Sequence, residues 1–77
     1  MTLRESPLGA RVCVTAVRLP SADAFRLSEM GVRPGTIAHV TQQGAFGGRV
    51  VAVAGSRFAL DGGTAALIDV DQVSLRG

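Results

Sequence analysis

The sequence has no tryptophan, no tyrosine and no lysine, and it carries one cysteine and one histidine. Each absence closes off a class of function. A single cysteine, Cys13, permits neither a disulfide within the chain nor a cysteine-based metal site, which suits a reducing compartment. Without lysine, Gly44, Gly47 and Gly48 form no phosphate-binding loop of the kind whose lysine reaches the phosphates. Three phenylalanines are the only aromatics, too few for the stacking surface that single-stranded nucleic acid requires. All eight cations are arginine, against six acidic residues and a formal charge of +2. The arginines form no run, so they read as a solvated surface, and no nucleic-acid partner is expected. No apolar run approaches the roughly 20 residues that cross a bilayer. Arg4 and Glu5 stand where a secretory leader would need an apolar stretch, so a cytoplasmic location is expected.

Catalysis has little to draw on. His39, Cys13, the serines and the scattered carboxylates show no arrangement of nucleophile, base and orienting group. No catalytic residue is therefore assigned. One imidazole is a poor metal site by itself, and the alternation of its strand turns His39 outward. Cys13, between two valines, reads as inert core. No metal ligand set and no cofactor follow, beyond a transient contact with a transition metal.

What the chain does have is aliphatic bulk: 47% of its 77 residues are apolar. That length makes one domain, residues 1–77, which buries only about 60% of the surface its unfolded chain exposes. The most informative stretch is Arg26 to Gly35 (RLSEMGVRPG). It reads as the end of a short helix running from about Ala22 to Met30, capped by Ser21 with Asp23 in its first turn. Ala24, Leu27 and Gly31 share a face, with Met30 beside Leu27. Gly31 suits the left-handed residue that ends a helix. Pro34-Gly35 suits a type II turn, proline presetting the first φ and glycine allowing a positive second one.

Around this joint the sequence predicts five short strands. After a lead-in from Leu3 to Gly9, Arg11–Val17 alternates, with Val12, Val14 and Ala16 on one side and Cys13, Thr15 and Val17 on the other. Thr36–Thr41 places Ala38 and Val40 together, and Gln42–Gly48 reads as a flexible connection around Phe46. Arg49–Ala54 aligns Val51 with Val53, Gly55-Ser56 marks a two-residue hairpin, and Arg57–Leu60 aligns Phe58 with Leu60. After the turn at Asp61-Gly62-Gly63, Thr64-Ala65-Ala66 suits one helical turn, and Leu67–Val73 closes the set with Ile68 and Val70. Short strands, tight turns and one helix inserted after the first strand predict a mainly β fold, a small barrel whose closure removes exposed edges.

The motifs in this order resemble the FeoA family, ferrous iron transport protein A. They are RLSEMGVRPGT (Arg26 to Thr36), Phe46-Gly47-Gly48, RFAL (Arg57 to Leu60), and Ala65 followed by Ile68 and Val70. Two features depart from the family pattern. Ser6 stands where a leucine is common, implying a looser lead-in, and the Val50–Arg57 hairpin is about one residue short. The resemblance implies an SH3-like barrel of five to six strands. It further implies a cytosolic accessory protein that binds the cytosolic part of FeoB, the membrane ferrous-iron permease. The same domain ends iron-dependent repressors, so a metal-binding or metal-sensing module is the alternative.

For partner binding the sequence offers two places. One is the helix and its exit, with Arg26, Leu27, Met30, Val32 and Arg33, supported by the turn residues Gly31, Pro34 and Gly35. The other is Phe46, an aromatic at the centre of a glycine-rich loop.

Overall fold

Alternating valines set the architecture. The computed structural model describes residues 1–73; the last four residues of the expected domain, 74–77, lie outside the described residues. Five strands form one antiparallel sheet: β1 (Arg11–Val17), β2 (Ile37–Gln43), β3 (Arg49–Val53), β4 (Ser56–Leu60) and β5 (Ile68–Gln72). Helix α1 (Ser21–Glu29) follows β1, and a single turn, α2 (Gly62–Ala65), precedes β5. Short 3-10 turns occupy Leu3–Glu5 and Ala45–Gly47. The strand order is β4-β3-β2-β1-β5, so β1, β2 and β3 are central.

The edge strands β4 and β5 do not pair with each other. They meet through side chains instead. Leu60 from β4 and Ile68 and Val70 from β5 enter the same buried cluster as Val12, Val14, Ala38, Val40, Val51 and Val53. A sheet whose two edges share one core must curl, and inner positions filled by small aliphatic residues allow that curl to be tight. Ala65 of α2 is fully buried in this cluster, and Leu3 joins it from the lead-in. The outer edge of β5 is covered: the Val70 amide donates to the Met1 carbonyl, and Thr2 bridges Asp69. Covering an edge in this way blocks pairing with another chain.

Several local expectations change. A bulge in β1 shifts its register between Val14 and Ala16, and bulges bend and twist a strand. Val17, grouped by the alternation with Cys13 and Thr15 rather than with Val12 and Val14, consequently packs against the core, while Ala16 is only half-buried. Cys13 is half-buried on the outer side rather than core. The Gln42–Gly48 connection is shorter than predicted, because Gln42 and Gln43 pair with Val50 and Arg49. The hairpin turn is Ala54-Gly55, not Gly55-Ser56: Ser56 already pairs with Val53. Both turn residues have positive φ, 52° and 82°, as a two-residue turn of the primed type requires. Pro20, not Ser21, occupies the capping position of α1, and no side chain caps it. Ser6 does not loosen the lead-in; it is fully buried, and its hydroxyl donates to the Thr2 carbonyl at 3.3 Å.

Two tests follow from the turns. Gly35 has a φ of +94° and nothing within 4 Å of where a Cβ would stand. Gly35→Val therefore acts through backbone strain alone, about 1–3 kcal/mol. That is a large share of a small domain's stability, and a thermal melt should show a clearly lowered midpoint. The second test concerns Asp61, whose carboxylate accepts from the Thr64 amide at 2.7 Å and caps α2. That bond holds its pKa below the usual aspartate value. A depressed folded pKa contributes stability above the unfolded pKa and loses it as pH falls through the folded one. Asp61→Ala should therefore melt below the native protein at pH 7, and the gap should narrow as melts are run below about pH 4.

Candidate functional site

The helix exit is built backbone first. The Val32 amide donates to the Leu27 carbonyl at 2.8 Å, and the Gly31 amide to Ser28 at 3.0 Å. This is the paired closure of a Schellman motif, with Gly31 at a φ of 102° in its left-handed position. Leu27 and Val32 occupy the positions of the hydrophobic contact that accompanies the motif, and both are buried in the core cluster, 7% and 2% exposed. A Cβ on Gly31 would press on Val53 and Ala54, so the helix end lies against the β3–β4 hairpin. The Pro34-Gly35 turn closes as predicted, with the Thr36 amide donating to Arg33 at 3.1 Å. The turn is then stitched to β1: Gly35 donates to Val14 at 2.8 Å, and Val14 donates to Thr36 at 2.9 Å. Helix, turn and first strand thus form one rigid unit.

Leu27 is the one buried residue of α1. A groove runs along each flank of the helix. The first, of about 330 Å³, is lined by Leu19, Asp23, Arg26, Leu27, Met30, Leu60 and Thr64. Its floor is apolar and its rim is polar. The second, of about 440 Å³, lies against Phe25, Ala24, Val17, Val32, Arg33 and Pro34. The helical period explains the division: Asp23, Arg26, Leu27 and Met30 form one stripe, and Ser21, Ala24, Phe25 and Ser28 form its neighbour.

The predicted residues therefore occupy different depths. Arg26 points outward and reaches Asp23 at 3.5 Å, an exposed pair one helical turn apart. Leu27 forms the floor, Met30 is partly open, and Val32 is buried beneath the second groove. Arg33 is exposed, and its guanidinium donates to the Ser28 carbonyl at 3.3 Å. These residues are brought together around α1. Phe46 is not among them; it stands on the β2–β3 connection and is 92% exposed. Between the two places lies α2, with Thr64 on the first groove and Gly62 packed against the Phe46 backbone.

Sequence reasoning missed Phe25, 66% exposed on α1. The signal was present: two positions from Leu27 on a helix is about 200° of rotation, so one of the pair faces solvent when the other is buried. It missed Leu19, Leu60 and Thr64 as groove residues for another reason, since they come from three separate parts of the chain. Among the described residues no three His, Cys, Asp or Glu side chains gather. Among the same residues, no helix is long and apolar enough to cross a membrane.

Comparison with known proteins matches this arrangement. The family model for the FeoA domain matches residues 1–72. The FeoA protein of Chlorobium tepidum is 27% identical and superposes with a TM-score of 0.88, over 96% of this chain and 71% of that one. The FeoA of Stenotrophomonas maltophilia, solved in complex with zinc and described as a prokaryotic SH3 domain protein, is 37% identical. It superposes with a TM-score of 0.76, over 92% of this chain and 89% of that one. No curated protein sequence matches. The fold is thus the SH3-like one expected, and with a family match that spans all five strands, the chain belongs to the FeoA family.

Proposed function

We propose that this protein is a non-enzymatic, cytosolic accessory protein of ferrous-iron uptake that binds the cytosolic part of the permease FeoB and holds no cofactor of its own. The role in iron uptake rests on family membership over residues 1–72. The observation that supports a binding role is the first groove beside α1. There Met30 is 39% exposed above an apolar floor of Leu19, Leu27 and Leu60, with Arg26 on the rim. An apolar side chain from a partner would displace water from that floor, while the rim supplies charge for orientation. The rigid joint behind Leu27 keeps the groove formed before the partner arrives, which limits the ordering cost of association.

A second reading is that the domain binds metal directly. It is favoured by the zinc complex of the Stenotrophomonas maltophilia relative. Against it, the described residues offer no group of three metal-binding side chains, and two or fewer ligands do not make a closed shell. Anaerobic calorimetry of the monomer with ferrous iron should show no stoichiometric low-micromolar site. Finding one would promote this second reading.

The groove itself is tested by charge. Arg26→Glu breaks an exposed ion pair, which is worth under about 1 kcal/mol, so the melting temperature should stay close to native. Binding to the permease's cytosolic domain should weaken and its association should slow. Leu27→Asp drives a charge into the core and should damage stability and binding together. Normal melting with undiminished binding of Arg26→Glu would remove the groove rim from the working surface.

A further inference from the structure

The β2–β3 turn displays Phe46 in a way the fold alone does not require. Its ring is 92% exposed. Its backbone is left-handed, φ 54° and ψ 38°, a conformation that bulky residues rarely adopt and that concentrates at functional sites. Glycines stand at 44, 47 and 48, yet the phenylalanine occupies this strained position.

The surroundings hold the turn in place. The Gly44 amide donates to Gly48 at 2.8 Å, and the Gly48 amide donates to Ala45 at 3.0 Å. Gly62 lies so close to the Phe46 carbonyl that a Cβ there would collide with it. The Arg4 side chain lies across Gly47 in the same manner. Arg49 donates to the carbonyls of Ser6 and Gly48 at 3.0 and 2.8 Å, and also to that of Arg4. The lead-in that carries Arg4 is thereby fixed to the turn. Among the described residues neither Arg4 nor Arg49 has a carboxylate partner. Arg49 spends its donors on backbone, whereas the Arg4 side chain, lying across Gly47 next to Phe46 in sequence, has no carboxylate partner among the described residues.

We infer that the Phe46 turn is a second docking element for the same partner protein. Phe46 enters an apolar pocket on the partner, and an acidic group on that pocket's rim meets Arg4. This deepens the proposed function and rests on it. The occupant is a protein pocket rather than a lipid surface because the feature is one ring on a rigid turn with one cation, Arg4, that has no carboxylate partner among the described residues. A membrane surface is held by a broad apolar face and several cations. A pre-ordered aromatic loses little freedom on insertion, and buried aromatics and arginine dominate small interfaces.

The test uses Phe46→Gly and Phe46→Ala in the full chain with the purified cytosolic domain of the permease. Glycine accepts the left-handed backbone, so Phe46→Gly should melt at or above the native temperature while its Kd rises at least tenfold. Phe46→Ala should weaken binding similarly. Arg4→Gln should slow association and flatten its dependence on salt. Undiminished binding by both Phe46 variants, with the native chain binding normally, overturns this inference and leaves the proposed function standing. No binding by the native chain overturns both. Phe46-dependent binding to phosphatidylglycerol vesicles with unchanged binding to the permease domain assigns the turn to lipid, and overturns the inference as well.

Discussion

The small size of the core side chains is the constraint on which this structure depends. Val12, Val14, Ala38, Val40, Val51, Val53 and Val70 line the inner face, with Leu3, Leu27, Leu60 and Ile68 as the larger buried residues and Leu19 and Phe58 packed at the margin. Slender residues let one sheet curl until both its edges feed a single cluster, and α2 then fits into it through Ala65. A core with broad aromatics would hold the edges apart. The same economy of volume brings backbone against backbone, as where Gly62 meets Phe46.

With no disulfide available, cross-links over long sequence distances fall to arginine. Arg18 binds both carboxylate oxygens of Asp69 at 3.0 Å and the Ala66 carbonyl at 3.1 Å, joining the end of β1 to the start of β5. Arg49 joins the lead-in to the β2–β3 turn through carbonyls alone. A guanidinium suits this work because its planar fork presents five donors and never loses its charge. The arginines that looked like a scattered surface charge therefore differ in role. Some are structural clamps, while Arg4 and Arg26 are the charges proposed to face a partner.

Helix α1 is held to the rest chiefly by Leu27 and by the backbone closure that follows it. A helix anchored along one narrow line leaves a groove on each flank, which a fully packed helix would not. The stability that a wider apolar stripe would have supplied is traded for accessible apolar surface. Phe46 follows the same logic in a turn, with backbone strain in place of lost burial. Both features lie on elements whose backbone is tightly determined, and rigidity of that kind lowers the entropy lost on binding.

The sequence alone determined what depends on neighbours in the chain. The valine alternation placed the strands, Gly31 ended the helix, and Pro34-Gly35 made the turn, because each rests on local sterics or on a two-residue period. Arg26 outward and Leu27 inward likewise followed from helical rotation. Tertiary structure decided the rest. The bulge that turns Val17 inward belongs to the pairing of β1 with β5, a strand more than 50 residues away along the chain. Cys13 left the core for the same reason that Val12 and Val14 entered it: on a strand with one covered face, the intervening side chain looks outward. The first groove draws Leu19, Leu27, Leu60 and Thr64 from distant positions, and no local pattern relates them. The setting of Phe46 depends on Gly62 against its backbone and Arg4 against the neighbouring Gly47, contacts that bring together segments distant along the chain.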